Sequence, residues 1–174
     1  MNKNRYVWML AALVLMLVPY AVTRANSAPK YVGTHHGTAD DRRAIEKLLA
    51  TYTASVSSGN EKRFETLLLS PDIPFGSAED MVAGETGTQA VDVHQYQRFR
   101  QQIFQSGIHY IQHFYNVRIE QDGPLAQVSL DFVTQETGSS RGGYGFKTLQ
   151  LLKVHGRWKI ASEFYTGYPL PRVP

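Results

Sequence analysis

The spacing of apolar residues changes at His109, and this change limits the folds that the chain can adopt. From His109 onward apolar and polar residues alternate with a period of two, which predicts four β-strands. They span about 109–121, 125–135, 143–154 and 157–166. The tight turn signals Asp122-Gly123-Pro124 and His155-Gly156 separate two of the pairs. Strands joined by short turns pair antiparallel, so this half of the chain predicts a meander.

The region before His109 has apolar residues at intervals of three and four, which predicts helices. Including their capping positions, the three helices cover 38–59, 60–70 and 88–107. The segment 72–88 is rich in glycine and proline and predicts irregular chain. Three N-terminal helices packed on an antiparallel sheet of four long strands make an α+β domain.

The N-terminus has the layout of a secretory signal peptide. Lys3 and Arg5 precede an apolar run over residues 7–18, and small residues follow with a cleavage site near Ala25. A run of this length falls short of the roughly 20 residues that a membrane-spanning helix needs, so an uncleaved anchor is the weaker alternative. We therefore expect export to the periplasm or secretion, without a stable membrane span. The predicted organisation is a signal peptide over 1–25, a flexible linker over 26–37 and one domain over 38–170.

The charge of the expected mature chain gives no support for a nucleic-acid partner. The chain has 18 basic and 15 acidic residues, and three of the basic ones lie in residues 1–25, which contain no acid. The remainder is formally neutral, and its basic residues form no stripe. The absence of cysteine excludes thiol catalysis, disulfides and cysteine metal sites. His35 and His36 lack a third ligand at a matching spacing, so we expect neither a metal nor a cofactor.

Alternation in the last two strands predicts which face is inside. Lys147 and Lys153 share one parity of the third strand, and Lys159 and Glu163 share one parity of the fourth. Charged side chains favour solvent, so these faces are expected outside. The opposite parity carries Tyr144, Phe146, Thr148, Gln150 and Leu152, then Trp158, Ile160, Ser162 and Phe164. The polar members of this set either orient a ligand or satisfy one another, and the pattern leaves both readings open.

Parity also predicts the side on which His113 lies. In the first strand His113, Tyr115, Val117 and Ile119 alternate with polar residues. If Val117 and Ile119 face the core, then His113 and Tyr115 face it as well. In the second strand Asp131 has the parity opposite to its apolar neighbours, so we expect it on the outer face.

Three segments carry a resemblance to a known superfamily. They are "LLATYTASVSSGN" in the first helix, "HFYNVRIEQDG" before "LAQVSLDF", and the closing "LLKVHGRWKIASEFYTG". With the order of elements, they resemble the nuclear-transport-factor-2-like superfamily, which includes SnoaL-like cyclases and ketosteroid isomerases. The resemblance covers nearly all of residues 38–168. It implies a cone-shaped, cystatin-like roll in which the helices pack on a strongly curved sheet.

The resemblance also implies roles for individual residues. In catalytic relatives, a tyrosine at the place of Tyr52 donates a hydrogen bond to a substrate oxygen. In dehydratase and cyclase relatives, a histidine at the place of His113 acts as acid or base. Ser77 stands near the carboxylate base of the isomerases, and Gln150 near their protonated aspartate, so isomerase chemistry is disfavoured.

The candidate site residues follow from parity and from the resemblance together. The predicted catalytic pair is Tyr52 and His113. The predicted ligand-binding residues are Tyr52, Phe75, Phe99, His113, Tyr115, Phe132, Phe146, Thr148, Gln150, Trp158 and Ser162.

Three functions are compatible with the sequence. The first is an exported domain that holds a small apolar or aromatic molecule in the cone without catalysis. The second is a SnoaL-like cyclase, dehydratase or isomerase, with His113 as acid or base and Tyr52 as hydrogen-bond donor. The third is a structural module that forms a homodimer through the outer face of the sheet, to which Leu149, Leu151 and Tyr165 would add apolar surface.

Overall fold

The computed structural model describes residues 28–83 and 90–171. The described residues belong to two units, 28–34 in the first and 35–83 with 90–171 in the second. In the first unit, the described residues are exposed and form a turn, closed by a bond from the Val32 amide to the Pro29 carbonyl (2.9 Å). The predicted signal peptide and its cleavage near Ala25 lie outside the described residues.

In the second unit the described residues form four helices and six strands. The helices are α1 (Ala39–Ser57), α2 (Glu61–Glu65), α3 (Ala78–Ala83) and α4 (Tyr96–Phe104). The strands are β1 (Phe75–Ser77), β2 (Tyr110–Asp122), β3 (Leu125–Glu136), β4 (Gly142–Val154), β5 (Arg157–Tyr165) and β6 (Tyr168–Pro169). The four long strands confirm the predicted meander to within one residue at every end.

The strands form one curved sheet in the order β1-β5-β4-β3-β2, with β6 beside β4. The long strands pair antiparallel, whereas the short β1 pairs parallel to β5. Helix α1 lies against β2 and β5. Two interruptions of the strand pairing, one in β2 and one in β5, add local twist and bending to the sheet.

The first predicted helix is confirmed as α1, whereas the second and third are shorter than predicted and a fourth helix, α3, forms between them. Helix α2 ends at Glu65, and the next residues bond to β5 instead of continuing the helix. The Ile160 amide donates to the Leu67 carbonyl, and the Leu69 amide donates to the Ile160 carbonyl, each at 2.8 Å. Backbone bonds to a strand thus replace the bonds that a longer helix would make.

The last helix is also shorter than predicted, and an extra one precedes it. Helix α4 begins at Tyr96, because the chain before it pairs with Phe75: the Phe75 amide donates to the Val93 carbonyl (2.7 Å), and the Gln95 amide to the Phe75 carbonyl (2.8 Å). The segment predicted to be irregular contains β1 and the six-residue α3.

A β-bulge in β2 reverses the alternation that predicted the side of His113. The pairing with β3 shifts between Tyr115 and Arg118, and Asn116 adopts a positive φ of 52°. Before the bulge Gln112 and Phe114 point toward the helices, so His113 and Tyr115 point outward and are exposed. The prediction that these two side chains face the core is therefore wrong.

The inner face predicted for β4 is also wrong. Gly145, Lys147, Leu149 and Leu151 are buried there, whereas Tyr144, Phe146, Thr148 and Gln150 lie on the outer face. The assumption that a lysine marks the solvent face caused the error, because Lys147 is only 1% exposed.

Strand β5 follows the predicted phase in its first half only. Trp158 and Ile160 point inward as expected. After them the register shifts: the neighbours Leu151 and Gln150 of β4 pair with Ile160 and Ser162, which leaves Ala161 as an extra residue in β5. This shift turns Glu163 and Tyr165 inward and Ser162 and Phe164 outward. The three residues expected to add apolar surface to an outer dimer interface, Leu149, Leu151 and Tyr165, all lie on the inner face.

Asp41 connects the start of α1 to three strands. Its Oδ1 accepts hydrogen bonds from the Trp158 indole (3.0 Å) and the Lys153 ammonium (2.5 Å). Its Oδ2 accepts from the Thr38 hydroxyl (2.9 Å) and the Gln121 amide (3.1 Å). The bond from Lys153 is the main cause that lowers the pKa of Asp41 to about 2, with burial acting in the opposite direction. Trp158, a predicted ligand-binding residue, therefore serves the fold.

We predict that Asp41 makes the stability of the domain sensitive to acid. A carboxylate whose pKa is lower in the folded state stabilises the fold above its unfolded pKa of about 4. That contribution is lost as the pH falls toward 2, the folded pKa. Asp41→Asn should thus be less stable at neutral pH and lose less stability between about pH 4 and pH 2, measured by urea unfolding. Asp40→Asn, at an exposed carboxylate of the same helix turn, is the control; parallel pH profiles for wild type and Asp41→Asn would refute the assignment.

Candidate functional site in the cone

Three polar side chains meet in the interior between the helices and the sheet. They are Tyr52 from α1, Lys147 from β4 and Glu163 from β5, and each is at most 1% exposed. The Lys147 ammonium donates to the Tyr52 hydroxyl (2.6 Å) and to Glu163 Oε1 (2.5 Å). The Tyr52 hydroxyl donates to the same Glu163 oxygen (2.7 Å). We call these three residues the cone cluster.

Strand phase and register explain why the cluster forms at this place. Lys147 follows the inward parity of Leu149, and the extra residue Ala161 gives Glu163 that orientation on β5. Glu163 pairs with Leu149, two residues from Lys147 on the same face. Tyr52 lies in the buried stripe of α1, so its hydroxyl extends from the helix layer to the two charges on the sheet.

Aromatic rings surround the lysine. Its ammonium lies 4.4 Å from the ring centroid of Tyr52, 5.2 Å from Phe132, 5.3 Å from Tyr165, 5.6 Å from Phe114 and 5.9 Å from Phe99. The negative faces of such rings attract a cation, most strongly where water is excluded. The site is therefore a charged centre inside an apolar, aromatic wall.

Burial shifts the proton equilibria of the cluster. It lowers the pKa of the Lys147 ammonium, while the charge of Glu163 and its hydrogen bond oppose this change. Burial also raises the pKa of the Tyr52 phenol, and the Glu163 carboxylate adds to this increase. Tyr52 thus keeps its proton and acts as a hydrogen-bond donor.

One acceptor of the cluster has no partner. Glu163 Oε2 is buried and accepts no hydrogen bond, a property it shares, within the described part of the chain, with Gln112 Oε1. An unpaired buried carboxylate oxygen costs free energy, because it has lost its hydrogen bonds to water. This oxygen therefore keeps an unused acceptor position inside the aromatic wall.

The structure does not bring the predicted catalytic pair together. Tyr52 lies at the cone cluster, whereas His113 is exposed on the outer face. His113 lies beside a cavity of about 360 Å³ between α1 and β2, together with Arg42 and Glu46. Proton transfer that uses both groups on one substrate needs them within reach of that substrate, and this arrangement does not meet the requirement.

The other predicted site residues divide between the two faces. Phe75, Phe99, Phe132 and Trp158 are buried on the inner side. Tyr115, Phe146, Thr148, Gln150 and Ser162 lie on the outer side. Of these, Thr148, Gln150 and Ser162 border a depression of about 400 Å³. The predicted set therefore does not line a single cavity.

Sequence reasoning missed Lys147 and Glu163, the two charges of the site. A signal for Lys147 was present, because Leu149 and Leu151 share its parity and two aliphatic residues favour a buried face. Glu163 gave no comparable signal, since the shift at Ala161 cannot be read from alternation. Glu163 supplies a carboxylate inside the cone, the group that the isomerase comparison lacked.

No group of three metal-binding side chains occurs within 28–83 and 90–171. In the same part of the chain, no helix is long and apolar enough to cross a membrane.

Comparison with solved structures identifies the architecture. An NTF2-like protein of unknown function from Pseudomonas putida superimposes with a TM-score of 0.59 and 13% identity, over 75% of this chain and 89% of the other. The chain has a nuclear-transport-factor-2-like fold. A cystatin-like protein of unknown function from Nostoc punctiforme gives a TM-score of 0.57 at 14% identity, over 75% and 93% of the two chains.

The same fold occurs in a candidate scytalone dehydratase from Novosphingobium aromaticivorans. That structure matches with a TM-score of 0.56 and 18% identity, over 78% of this chain and 90% of the other. No family model matches the sequence, and no curated protein matches it. At these identities the structural matches establish the fold and leave the activity to the side chains of the cone.

We predict strong energetic coupling between Lys147 and Glu163. Lys147→Met removes the cation and leaves a buried carboxylate, which should lower the free energy of unfolding by about 3–5 kcal/mol. The double variant Lys147→Met/Glu163→Leu should recover most of that loss, because neither charge then remains inside. Urea unfolding of the four proteins of this cycle measures the coupling.

An exposed ion pair provides the comparison. Arg141 and Glu136 pair at the surface, where the Arg141 side chain is 75% exposed, so Arg141→Met should cost about 1 kcal/mol or less. Additive losses in the Lys147 and Glu163 cycle would show that the buried pair is not coupled.

Proposed function

We propose that this protein is a small-molecule-binding domain that holds an apolar or aromatic ligand in its cone. The ligand carries a hydroxyl or N–H group that donates a hydrogen bond to Glu163 Oε2. The observation that carries the proposal is the buried Tyr52, Lys147 and Glu163 cluster, with one carboxylate oxygen unpaired inside an aromatic wall.

The energetic cost of the cluster supports a functional role. Burying two charges costs several kcal/mol, and well-packed apolar residues at such positions are often as stable or more stable. A fold that needed only a filled interior would gain nothing from Lys147 and Glu163. Burial raises the pKa of the Tyr52 phenol and lowers the pKa of the Lys147 ammonium, and ionisable groups shifted by burial next to a specific charged partner are candidates for a functional site.

The surroundings of the cluster support an aromatic ligand. Ring faces and edges offer stacking and edge-to-face contacts, and the polar groups fix the orientation of the bound molecule. Because the cluster is enclosed, the ligand enters when half-buried rings move aside. Phe114 and Tyr165 are the rings with this property, since both are partly exposed and both approach Lys147.

A second candidate is acid–base catalysis of the cyclase, dehydratase or isomerase type at the same cluster. The observation that favours it is that a proton acceptor, Glu163, and two donors, Tyr52 and Lys147, converge within 2.7 Å of one another. Glu163 would accept a proton, and the two donors would stabilise negative charge on a substrate oxygen. Relative to the sequence hypothesis, this candidate replaces His113 by Glu163.

We predict that the cone distinguishes a hydroxylated aromatic molecule from its methyl ether. 2-Naphthol should raise the melting temperature of the protein more than 2-methoxynaphthalene does, because only the former donates a hydrogen bond to Glu163. Thermal unfolding and calorimetric titration measure the difference. Glu163→Gln should abolish the preference, whereas Glu120→Gln, at an exposed position on β2, should retain it.

The comparison of the two naphthalenes in the wild-type protein keeps the test informative even if Glu163→Gln does not fold. Equal stabilisation by both compounds, or by neither of them and any close analogue, would argue against ligand binding through Glu163. Turnover of a bound hydroxy-carbonyl compound that is lost in Tyr52→Phe while binding persists would favour the catalytic candidate.

Export and homodimerisation are further parts of the proposal. Export rests on the charged and apolar pattern of residues 1–25, and the mass of the protein recovered outside the cytoplasm would show whether cleavage occurs near Ala25. We also propose a homodimer, whose interface does not include Leu149, Leu151 and Tyr165, because these side chains lie on the inner face. Light scattering of the purified protein tests it.

A further inference from the structure

A further cavity lies at the end of the sheet where β6 joins β4, mostly on the outer face. Its volume is about 790 Å³, and strands β2, β3, β4 and β6 contribute to its wall. It is separate from the cone cluster, because none of Tyr52, Lys147 and Glu163 lines it. We call it the outer cavity.

Aromatic side chains dominate the outer cavity. Tyr115, Tyr144, Phe146 and Tyr168 all line it, and each remains between 42% and 50% exposed. The rings of Tyr144 and Tyr168 lie 5.7 Å apart at an angle of 43°, brought together by the pairing of β4 with β6. Four half-exposed rings at one place form a larger apolar surface than scattered exposed residues would.

A single carboxylate lies among these rings. Asp131 lies on β3, opposite Tyr115 of β2 on one side and Phe146 of β4 on the other. Asn116, which occupies the bulge of β2 with its positive φ, donates its side-chain amide to Asp131 Oδ2 (2.6 Å). This bond orients the carboxylate, and a neutral amide leaves its negative charge in place.

No cation compensates that charge within the cavity. Among the described residues that line the outer cavity, Asp131 is the only one with a charged side chain. By register the nearest basic side chains are His113, opposite Val133, and Arg118, opposite Ser129. Each of these two partners lies two residues from Asp131, and neither His113 nor Arg118 lines the cavity. The cavity thus combines a fixed negative charge with the negative faces of several rings.

We propose that the outer cavity binds a small organic ammonium ion that carries an aromatic or alkyl substituent. Ring faces attract a cation within about 6 Å, and ammonium ligands in aromatic cages use this interaction. Asp131 supplies the opposite charge, and the rings cover the apolar part of the ligand. An anion or a neutral molecule of the same size gains neither the attraction to the ring faces nor the attraction to the Asp131 carboxylate. The inference does not depend on the proposed function of the cone.

Benzyltrimethylammonium is the probe that tests this inference, with benzyl alcohol and benzoate as neutral and anionic comparisons. An NMR titration of the full chain should show saturable shifts with the cation, stronger than with either comparison compound. Asp131→Asn should weaken binding of the cation by about tenfold, because it keeps the shape of the side chain and removes its charge. Glu120→Gln removes an equal charge elsewhere on β2 and should leave the affinity unchanged.

A second variant keeps the test decisive if Asp131→Asn does not fold. Tyr168→Leu, in the short terminal β6, retains an apolar side chain and removes one ring, so it should weaken binding of the cation about threefold. Circular dichroism of each variant establishes that the fold is kept.

Three results would overturn the inference. The first is equal affinity for benzyltrimethylammonium and benzyl alcohol. The second is the same loss in Asp131→Asn and Glu120→Gln, which would indicate a general effect of charge. The third is a dimer in light scattering that binds no probe, which would mean that a second copy of the chain covers the outer cavity.

Discussion

The extra residue in β5, Ala161, determines what the interior of this domain contains. Without it, the alternation that sends Trp158 and Ile160 inward would send Ser162 inward and Glu163 to solvent. With it, Glu163 meets Lys147 and Tyr52 in the cone. A β-bulge of this kind redirects every side chain that follows it on the strand, so one residue replaces a hydroxyl by a carboxylate in the core.

The buried charges relate the stability of the domain to its proposed function. Lys147 and Glu163 are satisfied mainly by each other and by Tyr52, so the loss of either leaves an uncompensated charge in an aromatic interior. The same low-polarity surroundings that make the pair costly strengthen any hydrogen bond that a ligand forms with it. Both effects apply to Glu163 Oε2: leaving it unpaired costs stability, and a hydrogen bond from a ligand to it would be strong.

The bulge in β2 has an equivalent effect on the other side of the sheet. It releases His113 and Tyr115 from the core and places Asn116 where its amide reaches Asp131. One sheet therefore presents a charged cluster to the helices and an aromatic cavity with a carboxylate to the exterior. The first has a cation and an anion together, whereas Asp131 is the one charged side chain among the described residues that line the second. The two proposals therefore name ligands of different charge.

Much of the architecture could be predicted because it depends on local patterns. The strand boundaries follow from alternation and turn residues, and the buried stripe of α1, including Tyr52, follows from helical spacing. The outward position of Asp131 was also predicted correctly, since no bulge separates it from the apolar residues that set its parity. Helical spacing before His109, strand alternation after it and short turns between the strands already implied helices packed on an antiparallel sheet.

The site could not be predicted in the same way, because it depends on non-local pairing. The short α2 and the late start of α4 result from backbone bonds to β5 and to Phe75, which compete with helix continuation. The burial of Lys147 requires a partner that only the register of β4 and β5 supplies. The sequence by itself determined helix α1, the four long strands and their order. Only the tertiary structure decided which face the side chains of β2 and of the second half of β5 take, because a single extra residue in a strand reverses that choice and its position is set by pairing with the neighbouring strand.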